Sequence, residues 1–332
     1  EVASRVRHGA FVRGAELFGH GAFGISAAEA VAMDPQQRLL LERGYSALHA
    51  AARMSRGALM GAVVAVSVGQ WASEFQAVLG RTPAGRSVYA STGFSCSVTC
   101  GRVSFVLGLQ GACASYDTAC SASLVANHGS VRALQGRECD AALSAGVNMI
   151  LDAAAMAGNA VAGFTSVRGR SHTFDARADG YARGEAIDAM ACTLGAVEHG
   201  GCGMVGSAVR QGGRSASLTA PNGQAQQALL VASLGDAGMG AKQMGALEAH
   251  APCSPSTNDT RPHVTEHEKP VDAYTLRPAG VRVSTLLNSL AHCPTLTATV
   301  PPRSVALDEP ARRNAAYPSS SSCRCCGSIA AA

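Results

Sequence analysis

Cys120 stands in the stretch SYDTACSAS, between an acidic turn and a run of small residues. The segment before it predicts a short strand, and residues 121–135 predict a helix. A cysteine at this junction lies at a helix N-terminus, where free backbone N–H groups and the helix dipole favour the attacking thiolate. The small residues Ser121, Ala122 and Ser123 would let another group approach the sulfur. Cysteine is also a common core residue, so spacing alone leaves an inert, buried thiol as the alternative.

The elements that must position this cysteine alternate between helices and buried strands. A capping box at Ser26–Glu29 and an Asp34-Pro35 start predict two helices near the N-terminus. Further helices are predicted at 100–111, 121–135 and after the turn in the segment 220–238. Strands are predicted at 57–69, 113–119, 139–147, 186–194, 201–211 and 245–250. The buried stripe of the helix after Cys120 is predicted to be Leu124, Val125, His128, Val131 and Leu134. Such alternation implies an α/β fold with a mostly parallel sheet covered on both faces.

Composition excludes several functions. The 332 residues are 47% apolar, and the net charge of +4 comes from scattered Lys and Arg, so no nucleic-acid surface is expected. No apolar run of about 18 residues predicts a membrane span. The chain opens with EVASRVRHGA, without a signal or an initiator Met, and we expect its N-terminus to be incomplete. The twelve cysteines lie mostly in apolar segments, which favours reduced thiols and a cytoplasmic location.

The character of the chain changes near residue 251. Residues 251–332 hold ten of the thirteen prolines but two of the 37 glycines, and all nine Met precede them. Such Pro- and Ser-rich sequence predicts an irregular, largely disordered tail, which would also fit a frameshift or an alternative terminus. The CRCC string at 323–326 lacks a partner pair with zinc-site spacing, so no metal site is expected. Two regions are therefore predicted, 1–250 and 251–332.

Five strings resemble the β-ketoacyl synthases, the ketosynthase domains of type I polyketide and fatty acid synthases. They are MDPQQRLLLERGYSAL, DTACSASLVANHGSVRALQGRECDAALSAGVNMIL, GRSHTFDARADGYARGE, GRSASLTAPNGQAQ and ALEAH. They occur in family order and with family-like spacing from about Gly9 to His250. The resemblance implies a thiolase-like fold with α-β-α-β-α layers. This chain would hold mainly the N-terminal half of that fold in residues 1–250, followed by the irregular tail.

The resemblance also implies a reaction and assigns residues to it. Cys120 matches the nucleophile, and His250 matches the first of the family's two catalytic histidines. An acyl group would move from the phosphopantetheine arm of an acyl carrier protein to Cys120. A malonyl thioester would then lose carbon dioxide, and its carbanion would attack the acyl group. Phe174 and Ser121 are expected to contribute to the substrate pocket, no cofactor is expected to be bound, and the family is usually dimeric.

The family pattern breaks after His250. The chain continues APCSPSTNDT, where the family has Gly-Thr-Gly-Thr. No convincing match exists for the second catalytic histidine, for which His292 is a faint counterpart, or for the Gly-Phe-Gly-Gly loop that contributes to the oxyanion hole. We therefore expect a chain truncated at both ends that can self-acylate at Cys120 without completing elongation. The alternative to an enzyme is a catalytically incomplete homologue that acts as a dimerising or carrier-protein-binding partner.

Overall fold

A computed structural model describes residues 2–52, 55–172, 175, 177–195, 202–216, 222–244 and 323–326. The helices in these residues are α1 Val2–Arg5, α2 Ala27–Ala32, α3 Pro35–Ala52, α4 Arg56–Leu59, α5 Phe75–Leu79, α6 Ala90–Gly93, α7 Cys96–Leu107, α8 Ala122–Gln135, α9 Ala153–Val161 and α10 Gly223–Asp236. The strands are β1 Gly9–Ala10, β2 Val64–Gln70, β3 Cys113–Tyr116, β4 Ala141–Asn148, β5 Arg183–Gly184, β6 Ala186–Leu194, β7 Cys202–Met204 and β8 Cys323–Cys326.

The main sheet is mixed rather than mostly parallel. Its strand order is β3-β2-β4-β6-β8-β7, and a separate pair joins β1 to β5. Strands β3, β2 and β4 are parallel, whereas β6 runs antiparallel to β4, with Asn148 opposite Ala186. The pairing explains the difference from the prediction. Strand β6 begins beside the residue where β4 ends, so the chain returns from the same end of the sheet without the crossover that a parallel strand requires.

Helices cover both faces of the sheet, as the sequence predicts. On one face, α3 and α7 pack against alternate residues of β2, and the buried cluster there includes Leu41, Val66 and Val103. On the other face, α8 contributes Val131 and Leu134 to a second cluster. All seven residues of β2 are buried, because both of its faces are covered. The described residues thus form an α–β–α arrangement in which β2 and β4 are neighbouring inner strands.

Local signals set several helix boundaries where they were predicted. The Ser26 hydroxyl accepts a hydrogen bond from Glu29 N at 3.1 Å and so caps α2. The Asp34 carboxylate accepts one from Gln36 N at 2.8 Å at the start of α3. Helix α7 ends at Gly108, whose φ of +72° is a left-handed conformation that favours glycine. These contacts satisfy backbone groups that helix ends otherwise leave unpaired.

The predicted buried stripe of α8 was partly wrong. Val131 and Leu134 are buried, but Leu124, Val125 and His128 are only half-buried. The sheet is instead faced by small residues one turn apart, Ala122, Ala126 and Ser130, which are 3%, 0% and 0% exposed. The first half of α8 approaches the sheet too closely for larger side chains.

Two strand predictions and the tail have separate outcomes. The strand predicted at 201–211 is confirmed only over Cys202–Met204, and the one at 245–250 lies outside the described residues. Within 251–332 the structure describes four residues, Cys323–Cys326, which pair with β6 and β7. The prediction of disorder for the remainder, and the boundary at 250, stay predictions.

Candidate active site

Cys120 lies in a sharp turn between β3 and α8. One turn of 3-10 helix spans Ala119–Ser121, and α8 begins at the next residue. Ala119 has a φ of +51°, a left-handed conformation that costs a non-glycine residue about 1–2 kcal/mol. The Cys120 side chain is exposed. The predicted strand–turn–helix arrangement is therefore confirmed, and the inert alternative of a buried thiol does not describe this cysteine.

Polar side chains within the turn hold its shape. The Asp117 carboxylate accepts a hydrogen bond from Ala119 N at 3.2 Å. The Ser121 hydroxyl donates to the Thr118 carbonyl oxygen and also lies 2.9 Å from the Thr118 hydroxyl. Ser121 therefore stabilises the turn that carries Cys120 rather than capping α8 with its side chain. Its predicted contact with substrate stays a prediction.

Two neighbouring glycines let α8 rest directly on the sheet. Gly69 of β2 pairs with Gly146 of β4. A Cβ at Gly69 would overlap the backbone of Ala122 and Ser123, and one at Gly146 would lie 2.7 Å from the Ser123 Cβ. Sequence reasoning missed this pair. The available signal was glycine inside two predicted strands, which often marks the close approach of another backbone.

Tyr181 is a half-buried phenol whose pKa responds to both Cys120 and Arg183. Its hydroxyl donates a hydrogen bond to Asn159 Oδ1 at 3.3 Å. Burial is the main cause that raises the pKa of Tyr181, the Arg183 guanidinium opposes that rise, and Cys120 adds to it. The phenol is therefore electrostatically coupled to both Cys120 and Arg183. It is a further residue near the cysteine that sequence reasoning did not single out.

The Arg183 side chain is 1% exposed and forms an ion pair with Glu74 at 2.6 Å. Its guanidinium also lies 5.5 Å from the centre of the Trp71 ring. The second carboxylate oxygen of Glu74 accepts hydrogen bonds from the N–H groups of Leu151 and Asp152, at 2.7 and 2.8 Å. This ion pair fixes the segment after β4 against the strand that follows Tyr181.

A second polar cluster links α8 to Ser207 and to Asp236 of α10. The Nδ1 atom of His128 lies 2.8 Å from the Ser207 hydroxyl. Arg132 pairs with Asp236 of α10 at 2.9 Å, and Asp236 also accepts a hydrogen bond from Ser207 N at 2.8 Å. Burial lowers the pKa of His128, the Arg132 guanidinium lowers it further, and Asp236 opposes the shift. These contacts tie α8 to the segment that follows β7.

The other predicted site residues lie elsewhere. His250 and Phe174 are outside the described residues, so their predicted roles remain predictions. Among the residues that the structure describes, no group of three or more His, Cys, Asp or Glu side chains could hold a metal ion. In the same part of the chain, no helix is both long enough and apolar enough to cross a membrane.

Comparison with known protein families gives two matches. The family model for the β-ketoacyl synthase N-terminal domain matches residues 1–191, and the model for the C-terminal domain matches residues 202–260. The chain belongs to the β-ketoacyl synthase family. Within that family it is similar to the ketosynthase domains of type I polyketide synthases, as the following relatives show.

Two curated relatives are large polyketide synthases. The phenolphthiocerol synthesis polyketide synthase type I Pks15/1 of Mycobacterium bovis is 42% identical over 252 residues, which are 74% of this chain and 12% of the relative. The polyketide synthase GfsB of Streptomyces halstedii is 39% identical over 249 residues, or 74% of this chain and 4% of the relative. The chain therefore spans a small part of these proteins.

Two solved structures confirm the thiolase-like fold. The ketosynthase from module 6 of the Bacillus subtilis bacillaene synthase, as a cysteine-to-serine mutant, matches with a TM-score of 0.65 and 25% identity. The match covers 76% of this chain and 45% of that structure. The oxazolomycin ketosynthase domain OzmH KS7 of Streptomyces albus matches with a TM-score of 0.66 and 29% identity, covering 74% of this chain and 44% of that structure.

Proposed function

We propose that this protein acts as a β-ketoacyl synthase in polyketide assembly and that Cys120 accepts the acyl group. The observation that carries the proposal is an exposed cysteine in a sharp turn directly before α8, in a chain of this family. Family membership favours a condensing enzyme over the non-enzymatic alternative of a partner protein. The cytoplasmic location stays a prediction.

The first half-reaction is acyl transfer. The Cys120 thiolate attacks the carbonyl carbon of an acyl thioester, and a tetrahedral intermediate forms. The intermediate collapses to a thioester on Cys120 and releases the phosphopantetheine thiolate, which takes up a proton. Helix α8 begins two residues after Cys120, so the positive end of its dipole lies beside the attacking sulfur.

In a complete synthase of this family, the second half-reaction forms the carbon–carbon bond. A malonyl thioester loses carbon dioxide and becomes an enolate, whose carbon attacks the Cys120 thioester. The Cys120 sulfur leaves, and the β-ketoacyl product stays on the carrier. We assign His250 as an N–H donor to the developing enolate oxygen, on the basis of its match to the family motif.

The proposed partners follow from this chemistry. An acyl carrier protein presents both thioesters on its phosphopantetheine arm, so the chain itself needs no bound cofactor. Phe174 and Ser121 are proposed to shape the acyl pocket. A homodimer is also proposed, in keeping with the family and with the fact that β3 pairs on one side only among the described strands. Light scattering on a dilution series tests it, and a single monomer mass throughout would contradict it.

Mass spectrometry of the intact chain tests the acyl transfer. Incubation with an acyl thioester should add one acyl group, and Cys120→Ala should abolish the addition. Cys113→Ala is the matched control, because Cys113 is also exposed but lies on β3, away from the start of α8. Acylation that persists in Cys120→Ala, or that is lost equally in Cys113→Ala, would contradict the assignment.

A further inference from the structure

The edge strand β3 directs two side chains toward α7. Cys113 pairs with Val66 and Ser115 pairs with Val68 in the parallel register. Neighbours that pair in this way place their side chains on the same face, and Val66 and Val68 belong to the buried cluster that contains Cys100 of α7. Cys113 and Ser115 therefore face α7.

The opposite face of β3 agrees with this orientation. Tyr116 follows Ser115, so its side chain points to the opposite face of β3. A Cβ on Gly129 of α8 would overlap the Tyr116 hydroxyl. The strand thus presents Tyr116 to α8, and its odd-numbered residues to α7.

The spacing along α7 then brings two cysteines together. Helix α7 and β3 are joined by the short loop 108–112 and run in opposite directions. The Ser115 hydroxyl donates to the Cys96 carbonyl oxygen at 2.5 Å. Four residues along a helix cover about 6 Å, and two along a strand cover about 6.6 Å. Cys100 lies four residues after Cys96 on α7, and Cys113 lies two residues before Ser115 on β3. Because the two elements run in opposite directions, these equal steps from the Ser115–Cys96 contact place Cys113 opposite Cys100.

The two thiols lie opposite each other, but their surroundings differ. The Cys100 thiol donates a hydrogen bond to the Ser97 carbonyl oxygen at 3.4 Å, and the pKa of Cys100 responds to the Cys113 thiol beside it. Cys100 is 3% exposed, whereas Cys113 is exposed at the sheet edge. Burial is the main cause that raises the pKa of Cys100, so this thiol stays protonated and hidden. Solvent-borne reagents can reach Cys113 first.

We propose that Cys100 and Cys113 are a modification site, at which a peroxide converts the two thiols into an intramolecular disulfide. The Cys113 sulfur attacks the peroxide oxygen, the O–O bond breaks, and a sulfenic acid and one water form. The Cys100 sulfur then attacks the sulfenic sulfur, the S–O bond breaks, and the Cys100 proton joins the departing hydroxyl to form a second water. Two thiols lose two electrons and two protons, and hydrogen peroxide accepts them. The product links α7 to the strand that leads into the Cys120 turn.

Peptide mapping tests this proposal on the full chain. After treatment with hydrogen peroxide, remaining thiols are alkylated and the chain is digested with trypsin without reduction. The tryptic peptides 87–102 and 103–132 should then appear as one cross-linked species that reducing agent separates. Each peptide holds two cysteines, because Cys96 and Cys120 accompany the proposed pair.

Four positions are substituted to assign the link. The cross-link should disappear in Cys100→Ser, in Cys100→Ala and in Cys113→Ser, and it should persist in Cys96→Ser and Cys120→Ser. Circular dichroism checks that each variant is folded. If the buried hydroxyl of Cys100→Ser destabilises the core, Cys100→Ala provides the same test without a polar group. A cross-link that survives loss of Cys100 or Cys113 would overturn the proposal. So would a Cys113-dependent dimer on a non-reducing gel, or a Cys113 that oxidises to sulfinic acid without any cross-link.

Discussion

Cys120 reaches solvent because the chain reverses direction over a few residues just before α8. Ala119 supplies the reversal with its positive φ, and hydrogen bonds to Asp117 and Thr118 hold the turn. Glycines Gly69 and Gly146 supply the space below it. At the scale of the residue, the exposure of the Cys120 sulfur thus depends on polar residues in the turn and on glycines in the sheet below it.

The first prediction concerns Gly69. Gly69→Ala should lower the free energy of unfolding by about 3 kcal/mol, because the new methyl group would push on the backbone of Ala122 and Ser123. Gly158→Ala is the control, since no atom lies within 4 Å of its added Cβ and alanine favours helix α9 by about 0.5–1 kcal/mol. Urea denaturation measures both. Equal stability of the two variants would show that α8 does not rest on Gly69.

The sequence predicted the turn that carries Cys120 better than the residues that support this turn. The turn and the helix follow from local signals within 113–136, whereas the role of Cys120 was assigned through the resemblance to the β-ketoacyl synthases. The Gly69–Gly146 pair joins residues far apart in the sequence, and only the strand register brings them together. The same applies to Tyr181, whose position near Cys120 depends on how the chain returns after α9.

At the scale of the element, the ion pair of Arg183 and Glu74 fixes the segments around the site. Glu74→Ala should lower the free energy of unfolding by about 3–5 kcal/mol, because it leaves the buried guanidinium without its charged partner. Arg81→Ala is the control, since its ion pair with Asp152 is 3.9 Å long and its side chain is 73% exposed. Such a pair contributes about 0–1 kcal/mol.

Thermal or urea unfolding under identical conditions measures the two variants. A loss in Glu74→Ala no larger than that in Arg81→Ala would mean that the buried pair does not stabilise these segments.

The contact between His128 of α8 and the segment after β7 predicts that the free energy of unfolding depends on pH. The pKa of His128 is lowered from its ordinary value of 6.5, chiefly by burial. As the pH falls through 6.5, the unfolded chain therefore binds a proton more readily than the folded chain, and the free energy of unfolding decreases. His128→Asn keeps a hydrogen-bonding side chain beside Ser207 without a titrating group. We expect this variant to show a flatter stability profile between about pH 5 and pH 7.

Urea denaturation across this pH range checks the prediction. Asp236 and Arg132 face the same histidine and are present in both proteins. Identical profiles for the wild-type chain and His128→Asn would contradict it.

Local patterns predicted most elements, but not how they associate. Strands β2, β4 and β6 follow from apolar runs, and α2, α3 and α7 follow from capping residues and glycine stops. The antiparallel direction of β6 was missed, because the direction of a strand depends on which end of the sheet the chain returns from. The stripe of α8 was misassigned, because periodicity does not reveal that the sheet below carries glycines.

At the scale of the whole molecule, the two half-reactions are predicted to separate. The chain should take one acyl group on Cys120, yet it should not yield β-ketoacyl product over many turnovers with a malonyl-carrier protein. The reason is that its sequence offers no convincing match for the second histidine or the Gly-Phe-Gly-Gly loop, and each lost donor typically lowers the rate by about 100-fold or more. Radiolabelled malonyl transfer measures this, and sustained product formation would contradict it.

Helix α8 packs directly against the backbone of two glycines in the sheet, so the position of Cys120 can vary little. Replacing one aliphatic core residue with another changes the melting temperature. The distance of the Cys120 sulfur from the sheet depends instead on Gly69 and Gly146, which have no side chain. Thiol reactivity per folded molecule should therefore stay constant across a library of conservative core substitutions, even where the melting temperature drifts by many degrees.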